Sequence, residues 1–158
     1  MTKLAGLSIC GWACWQQIAE GAAAAGRHAD EIDLASNVLV SVDRDARAAR
    51  DATRKVLAYY LHRVEPIVRS TSGADPETMA RVSQTVVERG LEAGAALVDD
   101  ELIDAFAAAG DPDHVVERLQ AYVDAGIRGL LAWHVLGPDP TRALELLARE
   151  VSPRVVNR

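Results

Sequence analysis

The sequence predicts an α/β fold with parallel strands and a majority of helix. Residues 32–42 (IDLASNVLVSV) are rich in β-branched side chains, which favour strands. Residues 111–151 read as helix, short apolar strand and helix, which is the repeating unit of parallel α/β folds. Three Asp-Pro pairs mark helix starts, because aspartate caps a helix and proline fits its first turn.

The N-terminal segment has a weak strand signal followed by a helix. Leu7 to Trp12 (LSICGW) predicts a short strand, although a loop fits equally well. Residues 13–25 predict a helix, because alanine favours helix and Gly26 suits the left-handed residue that ends one. We expect this helix to bury little apolar surface.

The strand at residues 32–42 has one apolar face and one partly polar face. The apolar face consists of Leu34, Val38, Val40 and Val42. The partly polar face consists of Ala35, Asn37, Leu39 and Ser41. A buried but partly polar face is typical of a strand that lines a barrel lumen or a site. We expect Asp43 to cap the next helix, which should end near His62 or Arg63, before Pro66.

Residues 64–98 are predicted to be a helical insertion. The loop STSGA (residues 70–74) precedes Asp75-Pro76, which opens a helix with Met79, Val82 and Val86 on one side. No shift in composition divides the chain. We therefore expect one domain over residues 1–158.

The last 60 residues predict helix, helix, strand and helix. Residues 99–110 favour a helix, and Asp111-Pro112 opens a second one that ends at Gly126. The apolar run Leu130 to Trp133 predicts a short buried strand. Asp139-Pro140 then caps the final helix.

Composition excludes several classes of function. The net charge of −6 and the interspersed acids and bases leave no basic stripe for nucleic acid. No apolar run approaches the roughly 20 residues of a membrane span, and no signal peptide is recognisable, so we expect a cytoplasmic protein without a membrane partner. The two cysteines, Cys10 and Cys14, lack a histidine cluster and are expected to be buried apolar volume rather than a zinc site.

Common catalytic signatures are absent. His28, His62 and His114 do not have the spacing of a zinc helix, so no metal site is expected. The sequence has no Gly-x-Ser-x-Gly elbow and no glycine-rich phosphate loop of the dinucleotide or Walker type. Any cofactor must therefore be held by other features.

Three motifs, in this order and spacing, resemble the C-terminal half of the luciferase-like monooxygenase superfamily, in particular its flavin- or deazaflavin-dependent oxidoreductases. They are Val42-Asp43 before an alanine- and arginine-rich helix, Ala109-Gly110-Asp111-Pro112 with Val116-Glu117-Arg118-Leu119, and Trp133 followed by Gly137-Pro138-Asp139-Pro140. The resemblance runs from Leu4 to Val156. Leu7 to Gly11 departs from it, because the family has an acidic residue and an Ala-Asp pair before this glycine.

The resemblance implies a partial (β/α)₈ TIM barrel with about three parallel strands. These would be Leu7 to Trp12, Leu34 to Val42 and Gly129 to Val135. Such barrels need about 250 residues, so five strands would be missing and two sheet edges left open. The implied partners are a second copy of this chain or an N-terminal half-barrel.

The resemblance also implies hydride transfer to a small organic substrate through FMN or the deazaflavin coenzyme F420. The alternative is an inactive barrel fragment or an assembly subunit. The implied cofactor-binding residues are Trp133, which could stack on a planar ring, His134, which could donate a hydrogen bond, and Ser41 at the barrel mouth. Gly137 would help to hold the cofactor phosphate, unless its loop only turns the chain and caps the last helix. No catalytic residue is assigned.

Overall fold

Three parallel strands form the sheet of this chain, and helices cover both of its faces. The computed structural model describes residues 12–64, 70, 72–134 and 136–156. The strands are β1 Ala35–Val42, β2 Ala107–Gly110 and β3 Gly129–Trp133. The helices are α1 Trp12–Ala24, α2 Ala46–Leu61, α3 Pro76–Arg89, α4 Leu91–Ala95, α5 Asp100–Phe106, α6 Pro112–Asp124 and α7 Pro140–Leu146, and a π-helical turn, Leu147–Val151, extends α7.

Strand β1 lies in the centre of the sheet, in the order β2-β1-β3. Residues 39–42 of β1 pair with β2, and residues 35–39 pair with β3, in both cases in parallel. The predicted strands at residues 34–42 and 129–135 are thus confirmed over residues 35–42 and 129–133, and residue 135 lies outside the described part of the chain. Of the predicted strand from Leu7 to Trp12, residues 7–11 lie outside the described part of the chain, and Trp12 begins α1.

Strand β2 replaces helix that the sequence predicts. Helix α5 ends at Phe106, so the prediction of helix through residue 110 is wrong for Ala107–Gly110. Alanine favours helix, but all four residues are buried and pair with the edge of β1. The buried backbone groups of β1 gain partners in this way, and tertiary pairing outweighs local propensity.

The two faces of the sheet pack against different helices. Val38, Val40 and Val42 of β1 face a core formed by α6, α7 and the π-helical turn. Leu39 faces the other core, which is formed by α2 to α5. Alternation along β1 therefore confirms the predicted apolar face and assigns the partly polar face to the side of α2.

The helix starts follow the predicted Asp-Pro pairs. Asp75, Asp111 and Asp139 each accept hydrogen bonds from backbone N–H groups in the first turn of α3, α6 and α7. The prediction for α2 is wrong, because Asp45 rather than Asp43 caps it and accepts from the backbone N–H groups of residues 47 and 48. None of the helices in the described ranges has the length and apolar character that a membrane span requires.

Candidate functional site

An aromatic cluster joins the carboxyl end of β3 to α2. The ring of Tyr60 lies 5.2 Å from Trp133 and 5.4 Å from His134, centroid to centroid, and the last two rings are 4.7 Å apart. The Tyr60 hydroxyl and Nε2 of His134 form a hydrogen bond of 2.6 Å. Three rings with polar groups at their edges thus meet where the strand ends, which is where α/β folds bind ligands.

The cluster depends on an unusual backbone at His134. This residue has φ = 72°, the only positive φ outside glycine in the described part of the chain. Consecutive residues of a regular strand point to opposite faces, yet the rings of Trp133 and His134 both contact Tyr60. The left-handed backbone therefore turns His134 toward α2. A residue held in a sparsely populated conformation often marks a functional site.

An apolar cavity of about 370 Å³ lies beside the cluster, between β1 and α2. Its lining is apolar except for Ser36, Asn37 and the hydroxyl of Tyr60, and consists of Ala35, Ser36, Asn37, Leu39, Leu57, Tyr60, Leu61, Val64, Phe106 and Trp133. This volume is within the range of small-molecule pockets. A second cavity of about 300 Å³ lies on the opposite face, against α6 and the π-helical turn.

Strand β3 is more exposed than the sequence predicts. Leu131 is 55% exposed and Trp133 is 40% exposed, so the prediction of a buried strand is wrong. Both residues share the face of β3 that continues from Asn37 and Leu39 of β1. In the described ranges this face of β3 is only partly covered, by Tyr60 against Trp133, which leaves part of the indole accessible to a ligand.

Ser41 has a structural role in this fold. Its side chain is fully buried, and its hydroxyl donates a 2.7 Å hydrogen bond to the carbonyl oxygen of Ala49 in α2. It therefore ties β1 to α2. The hydroxyl is not directed into the cavity beside Trp133, whose lining does not include Ser41.

Gly137 packs closely against the end of β1. It has φ = 133°, and a Cβ atom built on it would lie 2.6 Å from the carbonyl oxygen of Val42. The backbone N–H groups of Thr141 and Arg142, at the start of α7, donate to the carboxylate of Asp139. A phosphate at this helix start would have to displace a carboxylate of the same charge, so the geometry favours the turn-and-cap role for the Gly137 segment.

A buried carboxylate lies at the end of β1. Asp43 is only 3% exposed, and its Oδ1 accepts hydrogen bonds from Arg142 of α7 at 2.5 Å and from the backbone N–H of Asp45 at 2.9 Å. Arg142 neutralises the buried charge, and the backbone N–H adds a hydrogen bond to the same oxygen. Asp43 and Arg142 are 99 residues apart in the sequence, so local sequence signals do not reveal this ion pair.

Several charged groups elsewhere in the described ranges form ion pairs between helices rather than a metal site. Within the described ranges, no group of three His, Cys, Asp or Glu side chains is placed to hold a metal ion. His114 approaches Asp104 at 3.6 Å, beside the arginines of α2. This cluster joins α2, α5 and α6 and lies away from the lining of the cavity beside Trp133.

Comparison with known proteins assigns the family. Residues 13–129 match the luciferase-like monooxygenase family. The chain belongs to this family. It is 35% identical over 137 residues to 5,10-methylenetetrahydromethanopterin reductase from Methanopyrus kandleri, and 32% identical over 143 residues to an F420-dependent glucose-6-phosphate dehydrogenase from Rhodococcus erythropolis.

A solved structure of a similar reductase supports the fold. The coenzyme F420-dependent tetrahydromethanopterin reductase from Methanopyrus kandleri superposes with a TM-score of 0.83 at 33% identity. The alignment covers 91% of this chain and 42% of the reductase. For the two sequence relatives the covered shares are 87% of this chain in each case, and 39% and 36% of the relatives. The expected partial α/β barrel with three parallel strands is confirmed, and the chain spans about two fifths of its relatives' length.

Proposed function

We propose that this chain forms part of an oxidoreductase that transfers hydride between coenzyme F420 and a small organic substrate. The supporting observation is the cluster of Trp133, His134 and Tyr60 beside an apolar cavity at a strand end. The Rhodococcus erythropolis relative and the superposed reductase are F420-dependent by name, which favours the deazaflavin over FMN.

The described residues fit the ring of such a cofactor. Trp133 offers an accessible indole face for stacking, and the adjacent cavity can exclude water from one edge of a planar ring. When bound, the deazaflavin supplies the hydride chemistry, and the protein supplies orientation and electrostatics.

His134 is solvent-exposed and lies outside the cavity lining, but its ring contacts Trp133 and Tyr60, so it can reach the edge of a ring stacked on Trp133. Its Nε2 is occupied by Tyr60, and in the described ranges its Nδ1 has no protein partner. We assign to it a hydrogen bond with a polar atom on the ring edge of the cofactor. Ser41 and Gly137 are not part of the proposed site, because the first is fully buried and the second packs on Val42.

Equilibrium binding of the two cofactors to the purified 158-residue chain tests the proposal. We expect micromolar binding of coenzyme F420, weaker binding of FMN, and at least a fivefold loss of F420 affinity in Trp133→Phe. A matched control is Tyr59→Phe, which alters an exposed aromatic residue outside the cavity lining. No binding of F420 at high protein concentration would contradict the proposal.

The second candidate function is an assembly subunit without catalysis of its own. The outer edge of β3 has no neighbouring strand among the described residues, and Leu131 and Trp133 expose apolar surface beside it. Such an edge can pair with another chain. Sedimentation should then show a dimer or larger species that Leu131→Lys disrupts, whereas a monomer that binds F420 would refute this second function.

A further inference from the structure

We infer that Tyr60 is a positioning residue for His134: its hydroxyl donates to Nε2, so that neutral His134 keeps its proton on Nδ1 and presents that N–H to the ligand. This inference deepens the proposed function and rests on it for the nature of the ligand. The expected ligand is a planar heteroaromatic ring with a hydrogen-bond acceptor at its edge.

The distance between the two side chains shows that they are hydrogen-bonded, and Tyr60 is assigned as the donor. The Tyr60 oxygen lies 2.6 Å from Nε2 of His134, a short distance for a hydrogen bond to nitrogen. A neutral imidazole carries one proton, so if the Tyr60 hydroxyl donates to Nε2, the imidazole proton lies on Nδ1. The hydrogen bond made by one ring nitrogen thus sets the role of the other.

The backbone at His134 brings the two residues together. They are 74 residues apart, and β3 in regular geometry would direct His134 away from α2. The left-handed backbone at φ = 72° reverses this direction. Such a conformation is sparsely populated, and the pairing with Tyr60 helps to hold the imidazole in place.

Helix α2 anchors Tyr60 itself. Leu57, Ala58 and Leu61 on the same helix are fully buried or nearly so in the core of α2 to α5. Tyr60 is half-buried and lines the cavity together with Trp133. A rigid helix therefore fixes the hydroxyl, whereas His134 is solvent-exposed and needs this partner to adopt one orientation.

Nitrogen-15 NMR of histidine-labelled protein tests the assignment directly, because it distinguishes the two neutral tautomers. We expect His134 to show a protonated Nδ1 and an unprotonated Nε2 in the wild-type chain, and to shift toward the Nε2–H tautomer in Tyr60→Phe. Tyr59→Phe is the matched control. It removes a phenolic hydroxyl from the same helix, but the ring contacts of Tyr59 are with Tyr60 and His62 rather than with His134. An Nε2–H tautomer in the wild type, or no change in Tyr60→Phe, would overturn the inference.

Affinity for coenzyme F420 tests what the positioning achieves. We expect Tyr60→Phe to weaken binding about threefold to tenfold, because the loss of one hydrogen bond leaves His134 less well oriented. His134→Asn keeps a residue that tolerates the left-handed backbone but cannot reach Tyr60, and the double variant should bind no more weakly than His134→Asn alone. Additive losses would refute the coupling.

The two proposals can fail separately. If the wild-type chain binds no F420, the proposed function fails, while the tautomer of His134 still decides whether Tyr60 positions it. If F420 binds and Tyr60→Phe changes the tautomer without changing the affinity, the positioning role fails and the proposed function stands. Should Tyr60→Phe not fold, the tautomer of the wild type and the affinity of His134→Asn decide the matter.

Discussion

Gly137 shows how a single residue fixes the end of β1. Its φ of 133° is a conformation that only glycine adopts easily, and the neighbouring Val42 carbonyl leaves no room for a Cβ atom. We predict that Gly137→Ala destabilises the protein by about 2–4 kcal/mol, from backbone strain and overpacking together. Urea unfolding measures this loss.

Gly21→Ala is the matched control for that prediction. Gly21 lies inside α1, and a Cβ atom added there would meet nothing within 4 Å, so alanine should stabilise the helix by about 0.5–1 kcal/mol. Equal stability of Gly137→Ala and the wild type would show that Gly137 does not pack closely against Val42.

Trp133 has the exposure of a ligand-binding residue rather than of a core residue. Because it is 40% exposed, we predict that Trp133→Ala costs only about 1–2 kcal/mol, less than the roughly 3–5 kcal/mol of a core tryptophan. Leu57→Ala, at a residue 2% exposed, should cost about 2–5 kcal/mol in the same experiment. A larger loss for Trp133→Ala than for Leu57→Ala would assign the indole to the core.

Site residues were predictable where the signal was local. The caps at Asp75, Asp111 and Asp139 act over two or three residues, and the sequence predicts them correctly. Asp43 and Asp45 both follow the strand, so only the exact start of α2 decides which one caps it. Trp133 and His134 could be proposed from their place after a strand, but Tyr60 could not, because its link to His134 depends on tertiary structure.

Among the secondary-structure elements, α2 holds α5 against the sheet through its arginines. Arg50 contacts Asp104 at 2.9 Å, and Arg54 contacts Asp100 at 2.7 Å. Arg50 also donates to the carbonyl oxygen of Ala109 in β2, and Arg54 donates to that of Val98. These bonds connect α2 to α5, to β2 and to the end of the helical insertion.

This network makes the stability of the protein fall at acidic pH. Burial opposes ionisation of Asp100, but the hydrogen bonds and charges of Arg54 and Arg50 outweigh it and lower its pKa below the ordinary 3.8. The pKa of Asp100 is lower in the folded state than in the unfolded state. The stabilisation is therefore present above pH 3.8 and is lost as the pH falls through the lowered pKa.

Asp100→Asn tests the network. Asp100 is largely exposed, so we predict a modest loss of about 0.5–1 kcal/mol near neutral pH, which should shrink toward zero once the pH falls below the lowered pKa of Asp100. Asp113→Asn is the control, since Asp113 is 83% exposed and pairs with the half-exposed Arg154. Unfolding curves across pH check both, and a pH-independent loss for Asp100→Asn would contradict the assignment.

Sequence patterns predicted the elements with strong periodicity and missed the one without it. Strand β1 and helix α6 carry clear β-branched or helical spacing, and both occur as expected. Strand β2 consists of three alanines and a glycine, whose local preference is not for strand. It forms because α2 and α6 cover both of its sides while β1 offers an edge.

The molecule as a whole combines a well-packed sheet with one open side. β1 has neighbours on both edges, and its residues from Val38 to Val42 are buried. β3 leaves Leu131 and Trp133 exposed, in a chain that spans about two fifths of its relatives. The family resemblance predicted this partial barrel, but composition and periodicity alone predicted only parallel strands with helices.

Trp133 and His134 should form the wall of an F420 site, and NMR of the labelled chain during titration with coenzyme F420 tests this directly. The Trp133 indole signal is assigned through Trp133→Phe. We predict that the signals of Trp133, His134 and Tyr60 shift most, while Val115 and Leu119 on the opposite face of the sheet stay unchanged. Shifts centred on Val115 and Leu119, or an unmoved Trp133 signal at saturating F420, would contradict the proposed site.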